Sequence, residues 1–566
     1  MRFTLALMLA LLWVLARAPS AAADAPGGSW LDELLEPWQD HTGPGVVVAA
    51  ARDGELLFER SAGAAHIELG IAITADSRFH AGSIAKTFTA YAILKLEAAG
   101  RLDLDDSLGR HLEGLPSAAR KLTVRQLLQH TAGLKDEWTL ASLAGWESSD
   151  VRTHAQARRM VMRQDGLNFE PGSRFSYSNS GYILLADVIE SVTGRPYPDW
   201  LVSEVFAPLG LEETLVQTTP QQVIERLATP YELRRRGDGV RGDMHLERAP
   251  VQANIYGSGN LVTTAGDLLR WGAHLLTTGT EDASALARMG EPARLADGSA
   301  SGYGFGLQVG SIGDARILHH GGALTGYRSH LLLVPESGLV VVVLGNVNSL
   351  RPGALATEVA DRLENGAGNP LPEPANAEAA QPTEGLRTAN LEEAARYRGR
   401  YLLENGRLLR VEAAEGRLFL IMGGSLQELE PTDAGHYLLG GDEIPVTFEG
   451  DNNGRMTRMA LQLPDHRVHA RRLERATVSG WDFRQYEGRY FSAALDTHYE
   501  LVRSGDELVA QRARGVDLHF TPIGDDRFLE WEPGDLLLHF ERNRRGRVTG
   551  FTLSTSRAQN IAFARE

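Results

Sequence analysis

The last third of the chain carries one sequence pattern twice, and this repeat limits the possible folds more than any other feature. The matched pairs are Tyr397-Arg-Gly-Arg-Tyr401 with Tyr486-Glu-Gly-Arg-Tyr490, and Asn453-Gly-Arg-Met-Thr457 with Arg545-Gly-Arg-Val-Thr549. The offset between the copies stays between 89 and 92 residues. Short alternating segments with Gly and Asp turns are typical of antiparallel β-structure. We therefore predict two copies of one all-β module, each a small barrel or sandwich, over residues 391–478 and 479–566.

A proline-rich stretch precedes the two modules. Residues 365–390 hold prolines among Ala, Asn, Glu and Gln, with few apolar side chains to bury: Pro370, Pro372, Pro374 and Pro382. This composition is typical of an extended linker. Since 566 residues are too many for one ordinary domain, we take this stretch as the boundary with a larger domain over residues 30–364.

That larger domain alternates strand-like and helix-like segments. Apolar hairpins stand near both of its ends, one turning on Asp53-Gly54 and the other between Pro335 and Gly338. Helical spacing follows Ser83 as far as Gly100, and residues 353–363 also look helical. Strands at both ends with helices between them predict an antiparallel sheet covered by helices, an α+β fold.

The N-terminus has the pattern of a secretory signal. Arg2 precedes an apolar run from Phe3 to Leu15, and small residues follow as far as Ala23. The apolar run is too short to span a bilayer as a helix, so we predict a signal peptide over residues 1–23 with cleavage after Ala23. A retained membrane anchor is the alternative. The expected location of the mature protein is the bacterial periplasm or the outside of the cell, free of the membrane.

Charge and cysteine content exclude several function classes. The formal net charge of −16 argues against binding to nucleic acid or to anionic lipid, since both need clustered Lys and Arg. The chain has no cysteine, so disulfides, thiolate zinc sites and a cysteine nucleophile are excluded.

Ser83 and Lys86 form the first chemical motif. Positions i and i+3 share one helix face, so Lys86 stands beside the Ser83 hydroxyl at the start of the predicted helix. A serine hydroxyl is a weak nucleophile until a neighbouring base takes its proton. Lysine can be that base only where burial or a nearby cation lowers its pKa. Taken alone, S-x-x-K also occurs in ordinary capped helices.

Two further motifs carry polar groups in glycine-rich surroundings. Tyr177 and Asn179 lie two residues apart, before an apolar helix predicted over residues 183–192. Near a lysine, Tyr177 would be held as a phenolate base, and Asn179 would orient the lysine and a substrate carbonyl. His320-Gly-Gly322 precedes the second hairpin, where glycines let a strand edge approach a ligand. A buried structural Tyr and a hydrogen-bonded structural His are the alternatives.

In this order, the three motifs resemble those of the penicillin-recognising serine hydrolases, which include class C β-lactamases, D-Ala-D-Ala carboxypeptidases and D-aminopeptidases. S-x-x-K is Ser83 to Lys86, Y-x-N is Tyr177 to Asn179, and the usual K-T-G strand is replaced by His320 to Gly322. Residues 127–134, with His130, and residues 254–267 look like two more family segments. We interpret the His130 segment as a structural helix-to-loop junction. The resemblance covers roughly residues 35–360.

The resemblance implies an acyl-enzyme mechanism. Ser83 would attack a carbonyl while Lys86 and Tyr177 take its proton, and Tyr177, aided by His320, would pass a proton to the leaving group. The oxyanion would lie between the N–H groups of Ser83 and Ala323. Asn179 and Gly322 would contact the substrate, and no metal or organic cofactor is called for.

The substrate is less well defined by the sequence. Histidine in place of the lysine of K-T-G looks more like the D-peptidase and esterase branches than like the β-lactamases. A catalytic domain followed by two β modules is similar to bacterial D-aminopeptidase, in which barrels flank the site and a barrel loop restricts it. We therefore expect an exported hydrolase of short D-amino-acid peptides or amides. An esterase or weak β-lactamase of the same fold, and a sensor that binds β-lactams or peptides without turnover, are the alternatives.

Overall fold

The structure is a computed structural model of the chain. It describes residues 28–40, 42–235, 244–249, 251–277, 283–366, 396–403, 408–414, 417–422, 425–431, 436–439, 444–451, 454–462, 467–473, 481–524, 526–530 and 536–566. The predicted signal peptide and nearly all of the predicted linker lie outside the described residues. None of the described helices is both long enough and apolar enough to cross a membrane.

The N-terminal part of the chain contains short helices and one large sheet. Its helices are α1 (Gly28–Leu35), α2 (Ala85–Ala98), α3 (Leu108–His111), α4 (Val124–Leu128), α5 (Glu137–Leu143), α6 (His154–Met162), α7 (Asn179–Thr193), α8 (Tyr197–Leu201), α9 (Ala265–Leu276), α10 (Ala283–Met289) and α11 (Pro352–Asn365). Single helical turns lie at Glu36–Trp38, Ile67–Leu69, Gly82–Ile84 and Val202–Phe206. Its strands are β1 (Val46–Arg52), β2 (Glu55–Ala62), β3 (Ala64–His66), β4 (Ile71–Ala72), β5 (Phe79–His80), β6 (Arg152–Thr153), β7 (Leu215–Val216), β8 (Tyr231–Arg235), β9 (Met244–Arg248), β10 (Ala253–Asn254), β11 (Leu261–Thr263), β12 (Gln308–Ile312), β13 (Ala315–Leu324), β14 (Tyr327–Val334) and β15 (Leu339–Gly345).

The large sheet has the order β12-β13-β14-β15-β1-β2 and is antiparallel throughout. Both predicted hairpins are present, as β1–β2 and β14–β15. The first turn places Asp53 and Gly54 at φ values of 50° and 80°, the left-handed pair that a two-residue hairpin turn requires. The first and last strands of this domain therefore lie side by side inside the sheet, where β1 pairs with β15.

Helices cover both faces of this sheet. Along β15, Val340 and Val342 pack into the core shared with α2, α7 and α9, whereas Val341 and Val343 pack into the core shared with α1 and α11. This alternation follows the two-residue period of a strand. Phe88 of α2 stacks on Trp271 of α9, with ring centroids 4.1 Å apart. The prediction of an α+β layer fold is confirmed.

The two C-terminal modules are closed eight-stranded barrels. The first comprises β16 (Gly399–Leu403), β17 (Leu408–Ala414), β18 (Arg417–Met422), β19 (Ser425–Pro431), β20 (Tyr437–Leu439), β21 (Ile444–Gly450), β22 (Met456–Gln462) and β23 (Arg467–Leu473). The second comprises β24 (Gly488–Ser492), β25 (Thr497–Ser504), β26 (Glu507–Arg512), β27 (Leu518–Gly524), β28 (Arg527–Glu530), β29 (Leu537–Arg542), β30 (Val548–Ser554) and β31 (Ile561–Arg565), preceded by the helical turn Phe483–Gln485.

Equivalent tyrosines make the same contact in the two barrels. The Tyr401 hydroxyl donates to the Tyr397 carbonyl at 2.8 Å, and the Tyr490 hydroxyl donates to the Tyr486 carbonyl at 2.8 Å. These are the tyrosines of the repeated Y-x-G-R-Y pattern, so the pattern encodes the same side-chain hydrogen bond at the start of each barrel. The prediction of two barrel-like modules is confirmed, and their exact boundaries stay a prediction.

The second barrel packs against helices α5 and α6. Leu140 and Leu143 of α5 are buried in the same apolar cluster as the barrel interior. The Tyr499 hydroxyl donates to the Leu143 carbonyl, and the Arg512 guanidinium donates to the Ser142 carbonyl at 2.9 Å. From α6, Arg163 pairs with Asp496 at 2.9 Å. Apolar burial and these polar contacts together hold the second barrel beside the region that carries Tyr177 and Asn179.

Candidate active site

Ser83 lies in the helical turn Gly82–Ile84, which leads directly into α2. The turn packs closely on strand β13. Gly82 has φ of 52°, and a Cβ at this position would lie 2.7 Å from the Ala323 nitrogen. A Cβ on Gly322 would lie 2.0 Å from the Ala81 carbonyl oxygen. Only glycines allow this approach, which places the Ser83 main chain beside Ala323.

Lys86 is fully buried under Ser83. Its ammonium donates to Ser83 Oγ at 3.1 Å, to Asn179 Oδ1 at 2.9 Å and to the Ser258 carbonyl at 2.7 Å. Burial lowers the pKa of Lys86 to about 7; the negative charge of Asp136 opposes this fall, and the positive charge of Arg557 adds to it. A lysine with this pKa holds a substantial fraction of neutral amine near pH 7, as a base for Ser83 requires.

Asn179 begins helix α7, four residues earlier than the sequence predicts. Its main-chain N–H and its side-chain Nδ2 both donate to Asp136 Oδ1, at 2.7 and 3.0 Å. Asp136 also caps α5, because its other carboxylate oxygen accepts from the Thr139 N–H at 3.2 Å. The sequence analysis missed Asp136; an Asp immediately before a helical run was the available signal.

Tyr177 lies above Lys86, whose Nζ is 4.9 Å from the centre of the tyrosine ring. Desolvation raises the pKa of the Tyr177 phenol far above its usual value, and hydrogen bonding with the Ser83 side chain opposes this only in part. The expectation of a phenolate is therefore wrong for the free protein. The raised pKa favours the protonated phenol at neutral pH.

His320 is buried behind the site. Its Nδ1 lies 2.6 Å from the Gly321 carbonyl oxygen, so Nδ1 carries the proton and Nε2 accepts from the Tyr303 hydroxyl at 3.0 Å. Burial lowers the pKa of His320 to about 3, which leaves the ring neutral. Among the described contacts, none joins His320 to Tyr177 by a hydrogen bond. His320 lies within β13, with its ring centroid 6.1 Å from that of Tyr177, and its expected aid to proton transfer stays a prediction.

His130 supports the Tyr177 ring from below. It follows α4 in a left-handed conformation with φ of 56°, and its ring centroid lies 4.3 Å from that of Tyr177. Its Nδ1 accepts from the Ser178 N–H at 3.2 Å. These contacts favour the interpretation of this segment as a structural helix-to-loop junction.

Strand β13 presents one side to Ser83. On one edge of β13, strand β12 pairs with it only as far as His319. From Gly321 to Leu324 this edge faces the Ser83 turn, while β14 pairs with the opposite edge. The Ser329 hydroxyl of the next strand donates to the Ala81 carbonyl at 2.8 Å and ties the sheet to this turn. The main chains of Ser83 and Ala323 therefore border one space.

That space is a cavity of about 750 Å³. Ser83, Tyr177, Asn179, Gly322 and Ala323 all line it, so the structure brings together these candidate residues from three distant motifs. Lys86 lies beneath its floor. Within the part of the chain that the structure describes, there is no group of three His, Cys, Asp or Glu residues arranged to hold a metal ion.

A loop of the second barrel forms another part of the cavity wall. It connects β30 to β31, and its Arg557 lines the cavity. The Arg557 carbonyl accepts from the Asp136 N–H at 3.0 Å and from Asn168 Nδ2 at 2.9 Å. The Gln559 N–H donates to Asn168 Oδ1 at 2.8 Å. The sequence analysis had no residue in this role, because nothing local in the sequence connects a barrel turn to Ser83.

Known proteins are similar to this chain over most of its length. The sequence model of the Beta-lactamase family matches residues 31–364. A D-aminopeptidase of Brucella anthropi is 28% identical over 545 residues, which is 93% of this chain and 96% of that protein. A D-aminopeptidase of Brucella canis is 26% identical over 551 residues, with the same coverage. The octameric penicillin-binding protein homologue from Pyrococcus abyssi superposes with a TM-score of 0.54 and 21% identity, over 78% of this chain and 98% of that one; this last likeness concerns the fold.

Proposed function

The chain belongs to the beta-lactamase family of serine hydrolases, and we propose that it hydrolyses D-amino-acid peptides or amides through an acyl-enzyme on Ser83. The observation that carries this proposal is the contact between Lys86 Nζ and Ser83 Oγ at 3.1 Å, made by a lysine whose pKa burial lowers to about 7. The D-aminopeptidases of Brucella support the substrate class, since they align with this chain along nearly their whole length.

Acylation begins with the Ser83 hydroxyl. Neutral Lys86 accepts its proton, and Ser83 Oγ forms a bond to the carbonyl carbon of the substrate. The N–H groups of Ser83 and Ala323 donate to the resulting oxyanion. Each such donor contributes roughly 2.7–4 kcal/mol to stabilisation of the transition state. Asn179, held by Asp136, keeps Lys86 aligned with the serine.

Collapse of the tetrahedral intermediate releases the amine. The Tyr177 phenol donates a proton to the leaving nitrogen as the bond from carbon to nitrogen breaks, and the Lys86 ammonium restores the proton of Tyr177. The result is a Ser83 ester and neutral Lys86. Water then attacks the ester with the same groups acting in reverse order, which releases the acid and regenerates the Ser83 hydroxyl.

The division of the chain into domains completes the proposal. Residues 1–23 act as a signal peptide, which would place the mature enzyme in the periplasm or outside the cell. Residues 30–364 form the catalytic domain, residues 365–390 the linker, and residues 391–478 and 479–566 the two barrel modules. The partners of this enzyme would then be small amides or short peptides.

The test is hydrolysis of D-alanine p-nitroanilide by the mature protein, with L-alanine p-nitroanilide as the stereochemical control. We expect nitroaniline release from the D isomer at a rate at least ~100-fold above that from the L isomer. Ser83→Ala should abolish release, while Ser149→Ala, a change in an exposed loop, should not. Equal rates for the two isomers would contradict D-stereospecificity, and activity retained in Ser83→Ala would contradict the acyl-enzyme.

A further inference from the structure

The guanidinium of Arg557 lies at the cavity and pairs with no carboxylate among the residues that the structure describes. It lies over the Tyr177 ring, with Cζ 5.5 Å from the ring centre, and it lines the same cavity as Ser83. Among the contacts of the described residues, no carboxylate or carbonyl accepts from this guanidinium. An arginine has five N–H donors in a planar fork that suits a carboxylate, so Arg557 presents an unused anion-binding group beside the nucleophile.

The loop that carries Arg557 is fixed in place. Two donors from the catalytic domain, Asp136 N–H and Asn168 Nδ2, hold the Arg557 carbonyl. Inside the loop, Thr555 Oγ1 accepts from the N–H groups of Arg557 and Ala558 at 3.1 and 3.0 Å. The Ala558 side chain is fully buried in the barrel cluster. The main chain of Arg557 is therefore anchored on both sides, unlike that of a surface arginine on a free turn.

The other charged side chains of the cavity leave it with a positive surplus. Among the described residues that line it, three side chains are ionic: Glu232, Arg328 and Arg557. Glu232 is already bound by Arg234 at 2.6 Å, and Arg328 donates to the carbonyls of Thr325 and Tyr327, both at 2.8 Å. The positive surplus is then shared by Arg328 and Arg557, and among the described contacts it is the Arg557 guanidinium that has no hydrogen-bond acceptor. A substrate with an anionic group would neutralise it, whereas an ammonium group placed there would be repelled.

We propose that Arg557 binds a carboxylate of the substrate, so that the preferred substrates are D-amino-acid peptides or amides with an anionic group close to the scissile bond. This inference rests on the proposed function and narrows its substrate class. The carboxylate would accept hydrogen bonds from the N–H groups along the edge of the guanidinium. The face of the guanidinium would stay stacked on the Tyr177 ring. Arginine is better suited than lysine to this double role because it can stack and donate two parallel hydrogen bonds at once.

The experiment measures binding without turnover, in full-length protein carrying Ser83→Ala. Calorimetric titration compares D-alanyl-D-alanine with D-alanyl-D-alaninamide, which differ by a carboxylate on the leaving-group side. A second pair, N-succinyl-D-alaninamide and N-acetyl-D-alaninamide, differs by a carboxylate on the acyl side. We expect at least one anionic probe to bind ~10-fold more tightly than its neutral partner, and the pair that shows this identifies the side on which the carboxylate lies.

Arg557→Gln should then reduce that preference to within ~2-fold and leave the Kd of the neutral probe unchanged. Arg557→Lys, which keeps the charge but loses the fork, should retain an intermediate preference. Arg544→Gln, an exposed arginine on another turn of the same barrel, is the matched control and should retain the full preference. Thermal unfolding of each variant shows whether the fold is intact. If Arg557→Gln is unstable, the preference for the anionic probe is compared between the wild-type side chain and Arg557→Lys.

Two results would overturn the inference. One is the absence of any preference for the anionic probes, including no measurable binding of all four. The other is a preference that survives in Arg557→Gln. Both are independent of the hydrolysis assay with D-alanine p-nitroanilide, whose failure would instead contradict the proposed reaction.

Discussion

Asp136 holds Asn179 by two hydrogen bonds to a single carboxylate oxygen, one from the main chain and one from the side chain. Through Asn179 Oδ1, the same carboxylate fixes the position of the Lys86 ammonium. A buried acidic group thus acts on the nucleophile through two intermediaries, one of which also opens helix α7. It is a positioning residue whose charge raises the pKa of Lys86.

Replacement of Asp136 by Asn removes this charge and one acceptor. We expect kcat to fall ~10- to 100-fold because Asn179 loses its support, and unfolding to become easier by ~1–3 kcal/mol as a buried donor loses its partner. Since the charge of Asp136 raises the pKa of Lys86, its loss should move the acid limb of kcat/KM to lower pH. If kcat falls but the acid limb of kcat/KM stays at the same pH, the charge of Asp136 does not raise the pKa of Lys86. The measurements are pH profiles and thermal unfolding.

The pH dependence of the wild-type enzyme should report the state of Lys86. As a base it works only when neutral, so kcat/KM should rise as pH passes upward through about 7. Arg557→Gln removes a cation that lowers this pKa and should move the limb to higher pH, opposite to Asp136→Asn. Lys86→Ala should cost at least ~100-fold and abolish the limb. If the acid limb of kcat/KM persists in Lys86→Ala, a group other than Lys86 causes it.

Tyr177→Phe should slow amide hydrolysis more than ester hydrolysis. An amine needs a proton to leave, whereas p-nitrophenolate does not, so we expect a loss of ~100-fold on D-alaninamide and less than ~10-fold on D-alanine p-nitrophenyl ester. The control is Tyr397→Phe in the first barrel, which should leave both rates unchanged. Equal losses on the two substrates would show that Tyr177 acts before the leaving group departs.

Asn168→Ala should loosen the barrel loop on the catalytic domain, with the Asp136 N–H still bound to the Arg557 carbonyl. The Asn168 amide binds the main chain of both Arg557 and Gln559, so its loss loosens the loop without changing any catalytic group. We expect KM for anionic substrates to rise ~3- to 10-fold with little change in kcat. Asn365→Ala at the end of α11 is the matched control. A fall in kcat with unchanged KM would mean that the loop supports the chemistry instead of substrate binding.

Local patterns predicted much of this molecule. The hairpin at Asp53-Gly54 follows from turn chemistry, and the position of Lys86 beside Ser83 follows from helical spacing. The two barrels follow from the repeated Tyr-x-Gly-Arg-Tyr pattern. For the hairpin and for Lys86, the residues that decide the structure lie within a few positions of one another, whereas the barrels were recognisable because a whole module is repeated.

The remaining features depend on contacts between distant segments. At the start of helix α7, Asp136, far away in sequence, accepts the Asn179 N–H, whereas the N-cap residue Ser178 makes no side-chain cap hydrogen bond. Tyr177 retains its proton because tertiary packing removes water from the phenol. His320 is neutral for a similar reason, since burial and the nearby charge of Lys86 lower its pKa. Arg557 reaches the cavity only after a second domain has docked, which no local pattern indicates.

The docking of the β30–β31 loop also bears on when the enzyme becomes complete during its own synthesis. Ribosomes make Ser83, Lys86, Tyr177 and Asn179 hundreds of residues before Arg557. A nascent or prematurely terminated chain could therefore assemble a nucleophile in a wider cleft that lacks the arginine wall. Selectivity would be the last property acquired, at the moment when the final pair of strands closes the second barrel.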